Sequence, residues 1–376
     1  MFNKHDINRN ECMLRGTLRK KGYDWWWHSF TGRDVETGEE KPFFIEYFLC
    51  NPALAEEKPV FGQLPENQKI GKRPSYVMVK AGCWGKDAMQ LHRFFSWKET
   101  RVHYNAPYEV EAGDCYASET HLKGKIQIKP SESQAHPEWM CDSGRMSWDI
   151  KVEKQIAFNV GYGASKFFRR IEAFAMFWHA EGMKSTYSGT ITCDGRDYEV
   201  LPSGSYGYAD KNWGRDFTSP WVWLSSNDLV SKVTGKRLEN SVFDIGGGRP
   251  KIYFCPLNRK LLGVMYYEGQ EFDYNFSHFW LKVKTRFEFT EDEKMVYWQV
   301  EQENKTSVMK TNISCKKADM LLVNYEAPDG KKRHNRLWNG GNGRGTVELY
   351  RKTKDGLELI DELKVGHVGC EYGEYC

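Results

Sequence analysis

A succession of short extended segments, separated by tight turns, is the feature of this chain that most constrains its fold. Residues 187–192 and 197–200 flank an Asp-Gly turn at 194–195, and this dipeptide is typical of a two-residue hairpin. Residues 286–289 and 295–300 alternate apolar and polar side chains, which places one row toward an interior and the other toward water. The pattern predicts an all-β protein with mainly antiparallel strands.

One segment departs from this pattern. Between residues 164 and 180, apolar side chains recur every three or four positions and charged side chains lie between them. This spacing predicts an amphipathic helix of about four turns. Strand-like sequence lies on both sides of the helix, which is close to the middle of the chain. We therefore predict two domains, residues 1–185 and 186–376, with a short helix near their junction.

Aromatic residues are unusually abundant, with 14 Trp, 20 Tyr and 21 Phe among 376 residues. In the strand-like segment 221–224, Trp221 and Trp223 fall on one face because side chains alternate along a strand. Two interpretations are open at this point. The rings fill the cores of two barrels, or they line an interior wide enough for a hydrophobic ligand. The number of Trp residues favours the second interpretation.

Charge and hydropathy argue against several classes of protein. The 54 basic and 51 acidic side chains leave a net charge of +3, without the basic excess that is typical of nucleic-acid binding. The sequence has no run of about 20 apolar residues, so we expect no membrane-spanning helix. The first residues are polar, so we expect no secretory signal. We therefore expect a cytoplasmic protein whose ten scattered cysteines are reduced thiols and hold no metal.

The most specific string is Tyr-Ala-Asp-Lys-Asn-Trp-Gly-Arg-Asp-Phe at residues 208–217, followed by Pro-Trp-Val-Trp at 220–223 and by Asn227. This order resembles the hallmark of the tocopherol cyclase family, in which Tyr-x-(Glu or Asp)-Lys-Asn-Trp-Gly precedes a short loop, Trp-x-Trp and a nearby Asn. The resemblance covers about residues 160–230 and is weaker on either side. Asp stands at 210 where the plant cyclases usually have Glu, so we expect a substrate other than a prenylated quinol.

The resemblance implies both a fold and a chemistry. The superfamily, which includes carotenoid hydratases of the hydroxyneurosporene synthase type, has two lipocalin-like β-barrels in tandem. In its known members an acidic side chain protonates an alkene in an apolar cavity, and a phenol or water adds to the cation, with no cofactor and no metal. The chain is therefore expected to be a cofactor-independent cyclase or isomerase of a hydrophobic, phenolic or polyene small molecule, or a hydratase. The alternative is a non-catalytic carrier of such a molecule.

Asp210 is the proton donor that the resemblance implies. An aromatic cavity would exclude water from its carboxyl and raise the pKa, so that the acid would stay protonated near neutral pH. In the structural alternative, Asp210 pairs with Lys211 or Arg215 or caps a turn. Tyr208 lies two residues earlier on the same strand face. It would share the proton or orient the substrate, unless it only satisfies its own hydroxyl group.

Further candidate residues follow from the resemblance, and the sequence does not place His28 and His179 in one site with Asp210. His179, at the expected end of the helix, is a candidate base or proton relay, and His28 is a weaker candidate of the same kind. The alternative for His179 is a stabilising role as an imidazolium at the C-terminus of the helix. Indole rings can stabilise a cation through their faces, and the substrate-binding set that we predict is Trp178, Lys211, Asn212, Trp213, Trp221 and Trp223. Core packing is the structural alternative for the four tryptophans. For Lys211 and Asn212 the alternative is a supporting role in the strand and the turn.

Overall fold

The computed structural model describes residues 2–159, 173–249, 251–252, 255–256, 258, 260–331 and 334–375. Strands form most of this part of the chain and pair in an antiparallel manner, so the prediction of an all-β fold is confirmed. The predicted hairpin is present as well. Its turn residues Asp194 and Gly195 have φ angles of 47° and 86°, the left-handed conformation that such a turn requires.

Twelve strands of the described chain form a first barrel-like sheet. They are β1 (Tyr23–Asp34), β2 (Glu40–Cys50), β3 (Tyr76–Cys83), β4 (Met89–Phe95), β5 (Thr100–His103), β6 (Glu109–Ala112), β7 (Cys115–Ser118), β8 (His121–Ile128), β9 (Gly144–Phe158), β10 (Met176–Cys193), β11 (Arg196–Val200) and β12 (Gly207–Gly214). Their order is β4-β3-β2-β1-β11-β10-β9-β8-β7-β6-β5, and β12 pairs with both β1 and β10.

Eleven strands form a second barrel-like sheet within the described residues. They are β13 (Trp221–Ser226), β14 (Asp228–Ser231), β15 (Val242–Gly248), β18 (Lys260–Tyr267), β19 (Gln270–Asp273), β20 (Lys284–Glu291), β21 (Met295–Glu303), β22 (Ser307–Lys316), β23 (Leu321–Val323), β24 (His334–Thr353) and β25 (Gly356–Tyr375). The order is β19-β18-β15-β13-β25-β24-β22-β21-β20, with β14 beside β25 and β23 beside β24. The short strands β16 (Lys251–Ile252) and β17 (Cys255–Pro256) pair with each other.

The helices of the described chain are short. The α-helices are α1 (Lys4–Ile7), α2 (Leu18–Lys21), α3 (Pro65–Ile70) and α4 (Pro130–Ala135). Single 3₁₀ turns occupy Pro52–Leu54, Trp97–Glu99, Pro137–Trp139, Pro202–Gly204, Phe279–Leu281 and Lys317–Asp319.

The helix predicted over residues 164–180 is wrong for its last residues, because β10 begins at Met176 and pairs there with Gly214 of β12. Residues 173–175 are described and are not helical either, and residues 164–172 lie outside the described residues. Phe177 belongs to the core inside the first sheet, whereas Trp178 belongs to the core between the two sheets. A strand that is buried on both faces loses the alternation of apolar and polar residues, and its sequence can then imitate a helix.

The chain passes from the first sheet to the second between Gly214 and Trp221. The predicted boundary near residue 185 lies within β10. The division into two domains stays a prediction, for which we propose a boundary at residues 215–220.

Buried apolar side chains form three clusters. One lies inside the first sheet, and its rings include Trp26, which stacks on Tyr108 with 4.7 Å between the ring centroids. Another lies inside the second sheet around Trp298. The third lies between the sheets and contains Trp27 and Trp223. Aromatic rings therefore fill the interiors of both sheets and also join the sheets to each other.

A buried ion pair in the first core yields a prediction about stability. The ammonium of Lys211 contacts the carboxylate of Asp24, both side chains are fully buried, and the Lys211 nitrogen lies 4.1 Å from the ring centroid of Trp26. The substitution Lys211→Met leaves the Asp24 carboxyl buried without its counter-charge, which should lower the free energy of unfolding by about 3–5 kcal/mol. Urea denaturation measures this loss.

The matched control is the double variant Asp24→Asn/Lys211→Met, which removes both charges and should recover most of the lost stability. A single variant that loses less than about 1 kcal/mol would contradict the structural role assigned to the pair.

Candidate active site

A pocket lies where the outer face of the first sheet meets the second sheet. Because side chains alternate along β1, Trp25 and Trp27 point to this pocket while Trp26 points into the first core. The pocket is narrow, with a cavity volume of about 20 Å³, and it opens to solvent. Its walls are Trp25, Trp27, Met176, Asp210, Trp221, Trp223, Tyr325, Leu337 and Glu371. Both sheets contribute to it, so neither sheet alone contains the site.

Asp210 of β12 is buried in the wall of this pocket. The indole N–H of Trp178 donates a hydrogen bond of 2.8 Å to its Oδ2, and the indole N–H of Trp25 is 3.4 Å from its Oδ1. Burial raises the pKa of Asp210 well above the usual range, although the hydrogen bond from Trp178 opposes this shift. This environment therefore favours the protonated form of the carboxyl.

Tyr208 connects Asp210 to the second sheet. Its hydroxyl is 3.4 Å from Oδ2 of Asp210 and accepts a hydrogen bond of 3.1 Å from the indole N–H of Trp223. The same N–H is 3.2 Å from Oδ1 of Asp244 in β15. Burial and the nearby Asp210 carboxyl raise the pKa of Asp244 well above its ordinary value. A hydrogen-bonded chain therefore runs from Asp210 through Tyr208 and Trp223 to Asp244.

Glu371 of β25 is a second carboxyl in the wall of the pocket, and sequence reasoning did not find it. It is half-buried. Its Oε2 accepts a hydrogen bond of 2.7 Å from the indole N–H of Trp221, and its Oε1 accepts one from the side-chain amide of Asn339. Burial raises the pKa of Glu371 to about 7. The only trace of this role in the sequence is a charged residue between Cys370 and Tyr372.

Tyr325, which sequence reasoning also missed, is fixed in the pocket wall by a buried ion pair. Nζ of Lys80 lies 2.8 Å from Oε2 of Glu46, and both side chains are fully buried. The hydroxyl of Tyr325 donates a hydrogen bond of 2.9 Å to the same carboxylate oxygen. The Lys80 nitrogen lies 3.7 Å from the centroid of the Tyr325 ring. The Glu46 carboxylate therefore holds the hydroxyl of Tyr325, and the Lys80 ammonium holds the face of its ring.

The structure brings one group of the predicted site residues together. Trp221 and Trp223 line the pocket with Asp210, and they share a face as predicted. Tyr208 of β12 and Trp178 of the adjacent strand β10 contact the Asp210 carboxyl. The Trp178 ring also stands edge-on to Trp221, with 6.2 Å between the ring centroids.

A second group of predicted residues lies on the opposite strand face, in the core of the first sheet. His179 pairs with Lys211 across β10 and β12, and a ring nitrogen of His179 is 3.0 Å from Asn10 Oδ1. Burial lowers the pKa of His179 well below its usual range. Trp213 stacks on Phe177 in the same core, with 5.5 Å between the ring centroids. Direct roles of these residues in binding or catalysis stay predictions, which their position does not favour.

His28 and Asn212 are both hydrogen-bonded to tyrosine hydroxyls away from the pocket wall. The ring nitrogens of His28 lie 2.9 and 3.2 Å from the hydroxyls of Tyr187 and Tyr108, and burial lowers its pKa well below the usual value. Asn212 lies on the same strand face as Asp210, and its Oδ1 accepts a hydrogen bond of 2.7 Å from the Tyr23 hydroxyl. Neither residue is in the wall of the pocket.

Among the described residues, no group of three or more His, Cys, Asp or Glu side chains is placed to hold a metal ion. The helices in the same part of the chain are too short or too polar for any of them to cross a bilayer.

Solved structures match the chain at low sequence identity. CghA, determined with Sch210972, is 10% identical, and the match has a TM-score of 0.50 over 94% of this chain and 89% of that chain. Kievitone hydratase from Nectria haematococca is also 10% identical, with a TM-score of 0.49 over 97% and 96% of the two chains. Similarity at this level concerns the fold alone. A comparison with curated proteins found no significant match.

The comparison with protein families is more informative. The model of the family described as tocopherol cyclase-like matches residues 75–374, which is most of the chain and includes both carboxyls of the pocket. The chain therefore belongs to the tocopherol cyclase-like family.

Proposed function

We propose that this protein is a cofactor-independent enzyme that protonates an alkene of a hydrophobic, phenolic or polyene small molecule. A C–O ring then closes, or water adds to the cation; ring opening is the reverse of the same chemistry. Membership of the tocopherol cyclase-like family supports an enzyme of the cyclase or hydratase kind. The assignment of roles to particular residues rests on the pocket itself.

The observation that carries the proposal is the environment of Asp210. Its carboxyl is buried in an aromatic pocket, and the nitrogen groups at its oxygens are the indole N–H groups of Trp178 and Trp25. An indole N–H donates and cannot accept a proton. The acidic proton of Asp210 is therefore available to Tyr208 or to a molecule in the pocket. A carboxyl kept neutral by an apolar site is suited to act as a general acid near pH 7.

The walls of the pocket are suited to the cation that protonation would produce. Trp25, Trp27, Trp221 and Trp223 surround the space next to Asp210. The face of an indole ring attracts a cation, with about 2 kcal/mol for a desolvated pair. Once Asp210 has lost its proton, its carboxylate also lies beside the positive charge. Both effects stabilise the cation more than the neutral alkene, which is what lowers a reaction barrier.

The substitution Asp210→Asn tests the proposal directly. A small-molecule extract of the cells that produce the protein is incubated in D₂O with the wild type or the variant and analysed by mass spectrometry. With the wild type, we expect a compound that changes retention and gains one deuterium without another change in composition, or that gains one D₂O. Loss of the acid should slow this conversion about 10²–10⁴-fold.

Glu326→Gln is a matched control, because Glu326 is also a buried acid, with its pKa raised to about 8, but lies outside the wall of this pocket. It should leave the conversion unchanged. If the wild type and Asp210→Asn retain the same compound unaltered, the protein is a carrier and the catalytic proposal is wrong.

The raised pKa of Asp210 also predicts a pH-dependent gain in stability for Asp210→Asn. In the unfolded chain an aspartate has a pKa of about 3.9. Between this pH and the higher pKa of the folded state, the folded protein binds more protons than the unfolded chain, so its stability falls as the pH rises. Asparagine does not titrate. Over this interval the variant should therefore gain about 1.4 kcal/mol per pH unit relative to the wild type.

Urea denaturation of both proteins between about pH 4 and pH 8 measures this difference in the free energy of unfolding. A wild type that becomes more stable than the variant as the pH rises would show an ion-paired carboxylate at position 210. That result would contradict the assignment of a neutral acid.

A further inference from the structure

We infer that Glu371 is a second catalytic carboxyl of this site: it is the base that takes the proton from the attacking hydroxyl group. The inference rests on the proposed function and extends it. It also defines the substrate class as a neutral molecule that carries an alkene, which faces Asp210, and reacts through a hydroxyl group or water, which faces Glu371.

The two carboxyls of the pocket come from different sheets. Asp210 belongs to β12 of the first sheet and Glu371 to β25 of the second, and both line the same pocket. Glu371 is opposite Trp223 in the pairing of β13 with β25, and Trp223 is itself hydrogen-bonded to Tyr208. A substrate between the sheets would thus have one carboxyl on each side.

The hydrogen bonds at Glu371 favour its carboxylate form. The indole N–H of Trp221 donates to Oε2, and the amide N–H of Asn339 donates to Oε1. The indole N–H of Trp84 donates to Asn339 Oδ1 at 2.7 Å. Since Trp84 has no acceptor in its ring, this bond fixes the amide with its NH₂ group toward Glu371. Both oxygens of Glu371 therefore have close donors, whereas at Asp210 the donor to Oδ1, the indole N–H of Trp25, is 3.4 Å away. These contacts stabilise the carboxylate form more at Glu371 than at Asp210.

The charged and titratable groups around Glu371 come from several strands. Glu46 of β2 opposes a negative charge at this position, whereas Lys80 of β3 favours it, and Tyr325 lies in the same pocket wall. A negative charge on Glu371 in turn raises the pKa of Asp210 in β12. Burial, the largest cause, together with these groups gives Glu371 a pKa of about 7, while burial places the pKa of Asp210 well above the usual range. At neutral pH one carboxyl can be charged while the other is protonated, and such a pair can serve as base and acid.

The proton balance of the reaction follows from these two states. The Asp210 acid transfers its proton to one alkene carbon, and the C=C π electrons form the new C–H bond. The hydroxyl oxygen then forms a C–O bond to the cationic carbon, and its proton passes to the Glu371 carboxylate. One C–H bond and one C–O bond have formed, no electrons are gained or lost, and the proton on Glu371 must return to Asp210 through solvent before the next cycle.

The substitution Glu371→Gln separates protonation from ring closure. It is incubated with the cell extract in D₂O used above, and each compound is followed by retention and deuterium content. Without the base, the cation can only return a proton from a neighbouring carbon to Asp210. We expect the alkene to gain deuterium without closing, while ring closure or hydration falls at least 100-fold. Asp210→Asn should lose both deuterium uptake and closure.

The results that would overturn the inference differ from the result that would overturn the proposed function. If Glu371→Gln loses deuterium uptake and closure to the same extent, Glu371 is a structural residue and the inference is wrong while the proposed function stands. If Glu371→Gln closes the ring at the wild-type rate, the inference is wrong as well. If the wild type itself takes up no deuterium, the proposed function fails and the inference fails with it. Glu326→Gln, the buried acid outside this pocket, should behave as the wild type does.

A second variant tests the role of Glu371 without removing its carboxyl. Asn339→Leu removes the amide N–H that stabilises the carboxylate, so the pKa of Glu371 should rise. A base acts only when deprotonated, and the acidic limb of the pH profile for ring closure should therefore move to higher pH, with the rate recovering there. A profile whose acidic limb stays in place would overturn the assignment of Glu371 as the base.

Discussion

The site depends on two carboxyl groups, one buried and one half-buried, that lie among aromatic rings and are bound by indole N–H groups. A buried carboxyl is costly unless its oxygens find donors. In this protein Trp178 donates to Asp210 and Trp221 donates to Glu371. An indole provides an apolar wall and one donor, but no charge that would hold a neighbouring acid ionised. The abundance of Trp in the sequence thus has a chemical reason as well as a packing reason.

The packing of the two sheets provides this environment. Trp178 of the first sheet lies against Gly246 of the second, where a Cβ atom would be 2.8 Å from the ring. The glycine therefore allows the close approach that buries Asp210 between the sheets. Aromatic rings fill the interior of each sheet. Asp210 and Glu371 therefore line a pocket at the interface between the sheets. Because the site is shared, changes in how the sheets pack should affect the pKa of both carboxyls.

Sequence reasoning predicted the all-β fold and five side chains that meet at the site: Tyr208, Asp210, Trp178, Trp221 and Trp223. The position of Lys211 follows from strand alternation, which sends it to the face opposite Asp210. The helix prediction was wrong in the described part of β10 because both faces of that strand are buried. Glu371 could not be predicted, because its partners Trp221 and Asn339 are distant in sequence and only the strand pairing of the second sheet brings the three together.

The central claim is that Asp210 is a neutral acid at neutral pH. Infrared difference spectroscopy between the wild type and Asp210→Asn, recorded near pH 7 in H₂O and in D₂O, tests it without any substrate. We expect the variant to lack a carboxylic-acid C=O band that is present in the wild type and shifts in D₂O. If the variant instead lacks a carboxylate band, Asp210 is ionised in the folded protein, and it cannot be the proton donor.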